Sequence, residues 1–431
     1  MRRLALAVLA LAAGSTAWAA QPPAPSANKG RTGTYEVKTG RPEYNYYVCV
    51  PATYSDENPA GLHVYFHGQG GGGSAPHFGQ WAKYFLEPHN LIGINMQYTD
   101  GDNGKDTAGK VDAAVEAIRQ TMADYKIVFG RGAVASFSGG GLPHEQLFSK
   151  FGKFTAGGPS PCPFNHSALY GSNYWGDPTA GPPMTWFVGV GTQEWGMGQP
   201  TLGTSQTRKA EQLLAFALKG GCADVYYKVT VGKGHTISDE DVRDSAAQFR
   251  RSDLAAAPFL YERDYADPRL RLAARRANAQ DLAGALSGID RVLADAKADD
   301  AVKAGATAIK AKIDQRVGAV LALMKELAEN DPVLGAYYGN VFTGHLRNLP
   351  QAKDLKALLA ESRKQPNAAA AGAAFREFCT SFKNVFGPGP SLKAGAAKFL
   401  EGVKTRAGEK SVLGTMATEF LAIEQPAPKA G

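Results

Sequence analysis

A run of small and apolar residues, Ala133-Val134-Ala135-Ser136-Phe137, delivers Ser138 into Gly139-Gly140-Gly141 and then into a helical pattern. A serine hydroxyl is a poor nucleophile until a neighbouring base takes its proton, and a sharp strand-to-helix corner is where such a hydroxyl becomes exposed. Strand and helix backbones crowd at that corner, so the residues two before and two after the serine must be small. Ser136 and Gly140 meet that need, with Ser136 standing where such corners usually carry glycine. Upstream, the apolar run Leu62-His63-Val64-Tyr65-Phe66 opens into His67-Gly68-Gln69-Gly70-Gly71-Gly72-Gly73. Glycines let backbone N–H groups approach a developing oxyanion, and losing one such donor costs about 3 to 4 kcal/mol of transition-state stabilisation. Gln69 and Gly139 are the expected donors, and His67 is expected to support the loop. A glycine run can also cradle phosphate, but no GxxxxGK[ST] pattern follows, so a nucleotide site is disfavoured.

The base should lie on a loop after a late strand, where an imidazole can take the serine proton and return it to the leaving group. Lys233-Gly234-His235-Thr236 directly follows the strand-like run from 225 to 231, which makes His235 the candidate; His144 and His166 are alternatives. The acid that holds the imidazole tautomer should follow the preceding strand. Glu194, after the run from 186 to 191, is the choice, with Asp177 and Asp239 left open.

These signals occur in the chain order oxyanion loop, Ser, acid, His, each after a predicted strand, and in this they resemble the α/β-hydrolase family. Within that family, residues 32–252 resemble secreted esterases of the polyhydroxybutyrate depolymerase and feruloyl esterase type. The resemblance rests on the His67-Gly68 loop, the export signal and the compact catalytic half. It implies hydrolysis of a small-molecule or polymer-linked carboxylic ester through an acyl-enzyme, with no cofactor and no metal. Aromatic residues gather around the same loops. Most belong to a core, but Trp175 and Trp195 sit in glycine-rich loops on the side where substrates enter such sheets, placed to line an acyl pocket.

Positioning these residues calls for a parallel sheet covered by helices. Strand-like runs fall at 44–50, 62–66, 91–96, 132–137, 154–156, 185–190 and 225–231. A helix is expected over 108–125, where Val111, Val115, Ile118 and Met122 share one face. From about residue 253 the texture becomes helical, starting at Asp267-Pro268. Stripes at Leu282, Leu286, Ile289 and Leu293, and at Ile309, Ile313, Val317, Val320 and Met324, mark two helices; others are expected at 352–362, 369–385 and 392–404. Asn330-Asp331-Pro332 and Gly387-Pro388-Gly389-Pro390 interrupt them.

A chain of 431 residues exceeds what one core usually organises. The expected division is a signal peptide (1–19), a flexible leader (20–31), the catalytic domain (32–252), an all-α helical-bundle domain (253–425) and a loose tail (426–431). Met1-Arg2-Arg3, the apolar run Leu4 to Ala13 and Ala17-Trp18-Ala19 have the form of an export signal, and no segment is long and apolar enough to span a bilayer. Periplasmic or extracellular location follows. The net charge of +7 arises from 47 basic and 40 acidic residues, interleaved on the helical stretches, which reads as solvated helix faces and disfavours a nucleic-acid site. Cys49, Cys162, Cys222 and Cys379 lack metal-ligand spacing, and one disulfide among the first three is open. Asn165-His166-Ser167 matches a glycosylation acceptor but reads as an ordinary loop. The helical domain has no decided role; a lid, a dimer surface or a dock for a protein or envelope partner are all open. Two functional alternatives to an esterase remain: a serine peptidase of the same fold, and an inactive binding scaffold.

Overall fold

β-branched and aromatic runs take up extended backbone in the computed structural model, which describes residues 23–68, 78–97, 106–151, 162–171, 185–196, 201–219, 224–387 and 391–424. The export signal, the tail and the run at 154–156 lie outside those residues. The described architecture is α/β, with mostly parallel strands flanked by helices and an all-helical C-terminal region. The contacts cluster into two compact units, Met1–Met184 with Ile237–Arg250, and Thr185–Thr236 with Arg251–Gly431.

The first unit contains β1 (Gly33–Val37), β2 (Tyr46–Val50), β3 (Ala60–Phe66), β4 (Leu91–Met96), β5 (Ile127–Phe137) and β6 (His166–Tyr170). β1 and β2 run antiparallel to each other and β2 antiparallel to β4, while β4, β3, β5 and β6 pair in parallel. Parallel strands are buried on both faces, which is why β3 and β4 read as continuous apolar runs and not as alternating ones. On one face Val111 and Ile118 of α1 (Thr107–Asp124) and Leu147 and Phe151 of α2 (Gly141–Phe151) join the core of β3, β4 and β5. Elsewhere in this unit Trp81 and Phe85, from the helical segment 79–89, pack on His63, Tyr170 and Phe249.

β1 and β6 were not legible in the sequence. β1 is half exposed and lacks a clean alternation, and β6 is only five residues, two of them polar and buried. Asn165, which heads the glycosylation-like triplet, is buried at the bend that enters β6 and accepts a hydrogen bond from the Gly132 amide at 2.9 Å, while His166 and Ser167 are strand and not loop. Part of the expected leader is also tied down: the Ser26 amide and hydroxyl both donate to Asp124, and the Tyr125 hydroxyl donates to the Asn28 and Arg31 carbonyls.

The second unit carries β7 (Thr185–Gly191) and β8 (Val225–Thr230), paired in parallel, with α3 (Thr201–Leu218) against them. α4 (Asp239–Ala256) leads out of the α/β part. The helices that follow are α5 (Pro268–Asn278), α6 (Leu282–Ala294), α7 (Asp300–Asn330), α8 (Pro332–His345), α9 (Ala352–Lys364), α10 (Ala368–Ser381), α11 (Ala396–Ala407) and α12 (Val412–Leu421). Asp267 caps α5 as its sequence predicts, and the Ile309-to-Met324 stripe is buried along α7. In α6 the buried face is centred on Ala285, Ile289 and Val292 instead of Leu286 and Leu293, because α5 brings its own alanines, Ala273, Ala274 and Ala277, into a close contact that suits small residues.

The helical region closes back on β8. The Tyr226 hydroxyl donates to Glu419 Oε1 at 2.7 Å, the Val229 amide donates to Glu419 Oε2 at 3.3 Å, and the Tyr227 ring packs against Phe382, Phe386 and Phe420. Buried Asp224 accepts two hydrogen bonds from Arg251 and one from the Tyr338 hydroxyl. Asp331, at the predicted break, caps α8 through the Leu334 amide and accepts from the Val412 amide at the start of α12.

Candidate active site

Two buried small residues, Ala135 and Ser136, precede Phe137 at the end of β5, and Ser138 follows with φ of +51°, one of four non-glycine residues with positive φ among those described. A non-glycine residue in that region costs about 1 to 3 kcal/mol and persists only where its surroundings over-determine it. They do so here. A Cβ on Gly140 would collide with the Phe66 carbonyl and lie 2.7 Å from the His67 carbonyl, so the backbone after Ser138 is pressed against the end of β3. A Cβ on Gly68 would lie 2.7 Å from the Ser138 Cβ, which places the His67-Gly68 loop directly against the serine. The Gly139 amide stands at the entry of the helical turn 138–140 that precedes α2, where N–H groups lack intrahelical partners. His67 turns its Nδ1 onto the Gly68 carbonyl at 2.7 Å, within the two described residues that open this loop. Gln69 lies outside the described residues.

In the second unit, Glu194 sits on the helical turn after β7 and is fully buried. Its Oε1 accepts from the Gly191 amide at 2.8 Å, and its Oε2 stands 3.2 Å from His235 Nδ1. His235 lies on the loop after β8, with its side chain 22% exposed. That loop is held to the Glu194 turn by the backbone: the Gln193 amide donates to the Lys233 carbonyl and the Gly232 amide to the Thr192 hydroxyl. A carboxylate on Nδ1 leaves the proton-accepting lone pair of a neutral imidazole on Nε2, the arrangement a general base needs.

The alternatives for these roles are occupied otherwise or undescribed. Asp239 accepts from the Tyr84 hydroxyl at 2.9 Å, and Asp177 lies outside the described residues. His166 is buried, with Nε2 on the Ser245 hydroxyl. His144 is buried, with Nδ1 at 2.9 Å from Ser136 Oγ and Nε2 at 2.9 Å from Ser167 Oγ. The link between Ser136 and His144 is the feature that sequence reading passed over; its one signal was the serine in place of glycine two residues before Ser138. Trp175 lies outside the described residues, as does the side chain of Trp195. Cys49, Cys162 and Cys379 are buried thiols, and burial pushes the Cys162 and Cys379 thiols up to about 12. Cys222 lies outside the described residues, so the disulfide left open among the first three cysteines stays open.

No family model matches the chain, and no curated protein does. Among solved structures, a thermostable esterase is 16% identical with a TM-score of 0.35, over 47% of this chain and 55% of that one, little more than half its length. Thermogutta terrifontis esterase Est2 is 16% identical with a TM-score of 0.34, over 48% of this chain and 88% of its own. The fluorophosphonate-binding serine hydrolase FphF of Staphylococcus aureus is 12% identical with a TM-score of 0.37, over 51% of this chain and 99% of its own.

Proposed function

We propose that the chain is an exported serine hydrolase that cleaves carboxylic esters through an acyl-enzyme. Ser138 attacks the ester carbonyl while His235 accepts its proton through Nε2. Glu194 holds the His235 tautomer and offsets the imidazolium charge that forms. The tetrahedral oxyanion is stabilised by the amides of Gly139 and Gln69, and Trp175 and Trp195 line the acyl side. His235 then returns its proton to the departing alkoxide, and water repeats the sequence to free the acid. This chemistry calls on no metal or cofactor. Esters are favoured over peptides by the resemblance of the His67-Gly68 loop to that of secreted esterases.

The observation that best supports the reading is the strained backbone of Ser138, φ +51°, with Gly68 packed on one side of it and the Gly140 turn on the other. Strain of this kind is kept where a side chain must be presented at a fixed angle. The experiment is labelling of the full chain by a fluorophosphonate, followed by hydrolysis of p-nitrophenyl acyl esters and peptide p-nitroanilides. Labelling that disappears in Ser138→Ala, with turnover of esters and not of anilides, is the expected result. Anilide turnover would make the chain a peptidase, and a wild-type protein that resists the label and turns over neither would be a scaffold.

A further inference from the structure

We infer that His144 is a positioning residue for Ser138, clasping the strand that delivers the nucleophile to the helix that leaves it. The inference rests on the reading of Ser138 as nucleophile. His144 lies in the first turn of α2, six residues after Ser138, and Ser136 lies two residues before it on β5. Nδ1 of the ring is 2.9 Å from Ser136 Oγ, which joins the two arms of the turn across Ser138. Nε2 is 2.9 Å from Ser167 Oγ on β6, the strand paired in parallel with β5, where Ser167 stands opposite Val134. One imidazole therefore ties a helix to two strands, and all three side chains have no exposed surface.

A neutral imidazole has one donor and one acceptor nitrogen, and a serine hydroxyl can take either part, so both bonds can be made with no charge buried. Buried polar groups of this kind contribute modest stability compared with apolar residues of the same shape; what they add is a fixed geometry. Geometry is what this corner needs. Ser138 has a positive φ at the junction of β5 and α2, and the crowding at Gly140 presses that turn against the end of β3 without tying β5 to α2. The clasp opposes separation. It also accounts for a hydroxyl at 136, where the turn demands a small residue but not a polar one. His144 touches neither the substrate nor the reacting atoms, so its part is played through Ser136 and the turn.

The test compares Ser136→Ala, Ser167→Ala, His144→Ala and His144→Asn with wild type in the full chain. The measurements are the second-order rate of fluorophosphonate labelling, kcat and KM on a p-nitrophenyl ester, the pH profile of kcat and the thermal midpoint. Ser136→Ala removes one oxygen and should lower both the labelling rate and kcat by about 10- to 100-fold, the usual cost of a slightly misplaced reacting group. KM and the midpoint of the pH profile should stay in place. His144→Asn, which keeps a polar atom near the position of Nδ1, should recover part of the loss seen in His144→Ala. Labelling of Ser136→Ala at the wild-type rate with only a lower thermal midpoint would reduce the network to packing and overturn the inference. A displaced pH midpoint would instead make His144 a titrating participant, which also overturns it. If His144→Ala does not fold, Ser136→Ala decides alone. Absence of labelling in wild type would remove the nucleophile reading and this inference together, whereas normal wild-type labelling with unaffected variants removes only the clasp.

Discussion

The nucleophile role proposed for Ser138 depends on a backbone angle that side-chain identity alone does not disclose. The run Ser136-Phe137-Ser138-Gly139-Gly140 announces a tight corner, and the carbonyls of Phe66 and His67 show what makes it tight. Gly140→Ala should therefore cost about 1 to 3 kcal/mol as an overpacking change, read as a lower urea midpoint, and under the proposed function should slow hydrolysis of a p-nitrophenyl ester. Glu194 is a different case, since its carboxylate is buried, held by the Gly191 amide and aimed at His235. Ser138→Ala should reduce kcat by roughly a millionfold and Glu194→Ala by about ten-thousandfold, because an imidazole without its orienting acid still works when it samples the right tautomer. Equal and small losses in both, measured on a p-nitrophenyl ester, would remove the proposed roles. The turn that carries Glu194 was legible because it follows an apolar strand run. The His144 contacts were not, since residues 136, 144 and 167 share no spacing that any single element imposes.

Elements divide in the same way. β4 and α1 emerged within a residue or so of their predicted ends, because each carries a strong period or a continuous apolar run. β1 and β6 did not, because their pairing partners and not their own composition make them strands. β8 takes this furthest. Its apolar run predicts a strand, but Tyr226 and the Val229 amide are satisfied by Glu419, nearly two hundred residues later, and Tyr227 sits among Phe382, Phe386 and Phe420. Phe420→Ala should cost about 3 to 5 kcal/mol in chemical denaturation, as truncation of a buried ring does. Asp224→Ala would leave the Arg251 guanidinium buried without its carboxylate, with a similar expected cost. A loss below 1 kcal/mol in both would mean that the helical region contributes little to holding β8.

Across the whole molecule, two histidines should set part of the acid stability. Burial alone pushes His63 down to about 3, and burial followed by the Arg316 charge pushes His345 down to about 4. Neither ring nitrogen of His63 has a hydrogen-bond partner among the described residues. Both folded values lie below the unfolded value of about 6.5, so the unfolded chain binds more protons between the two. Stability is fully present above about pH 6.5 and declines as pH falls toward 3. Urea midpoints should fall over that window, and His63→Leu should show a shallower fall; an unchanged slope would refute the assignment. Residues 32–252 expressed alone should be insoluble, since removing the helices strips Glu419 and the aromatic cover from β8. Soluble and active material would show that the helices are dispensable. The sequence by itself determined the strand runs, the helical stripes, the corner at Ser138 and the loop bearing His235, because each depends on a local period or on the steric demands of a few adjacent residues. Only the tertiary structure decided that Glu194 faces His235, that Gly68 backs onto Ser138, that His144 bridges two serines and that the final helix returns to β8. Those are contacts between distant segments, and their energies depend on distance and burial that no local pattern encodes.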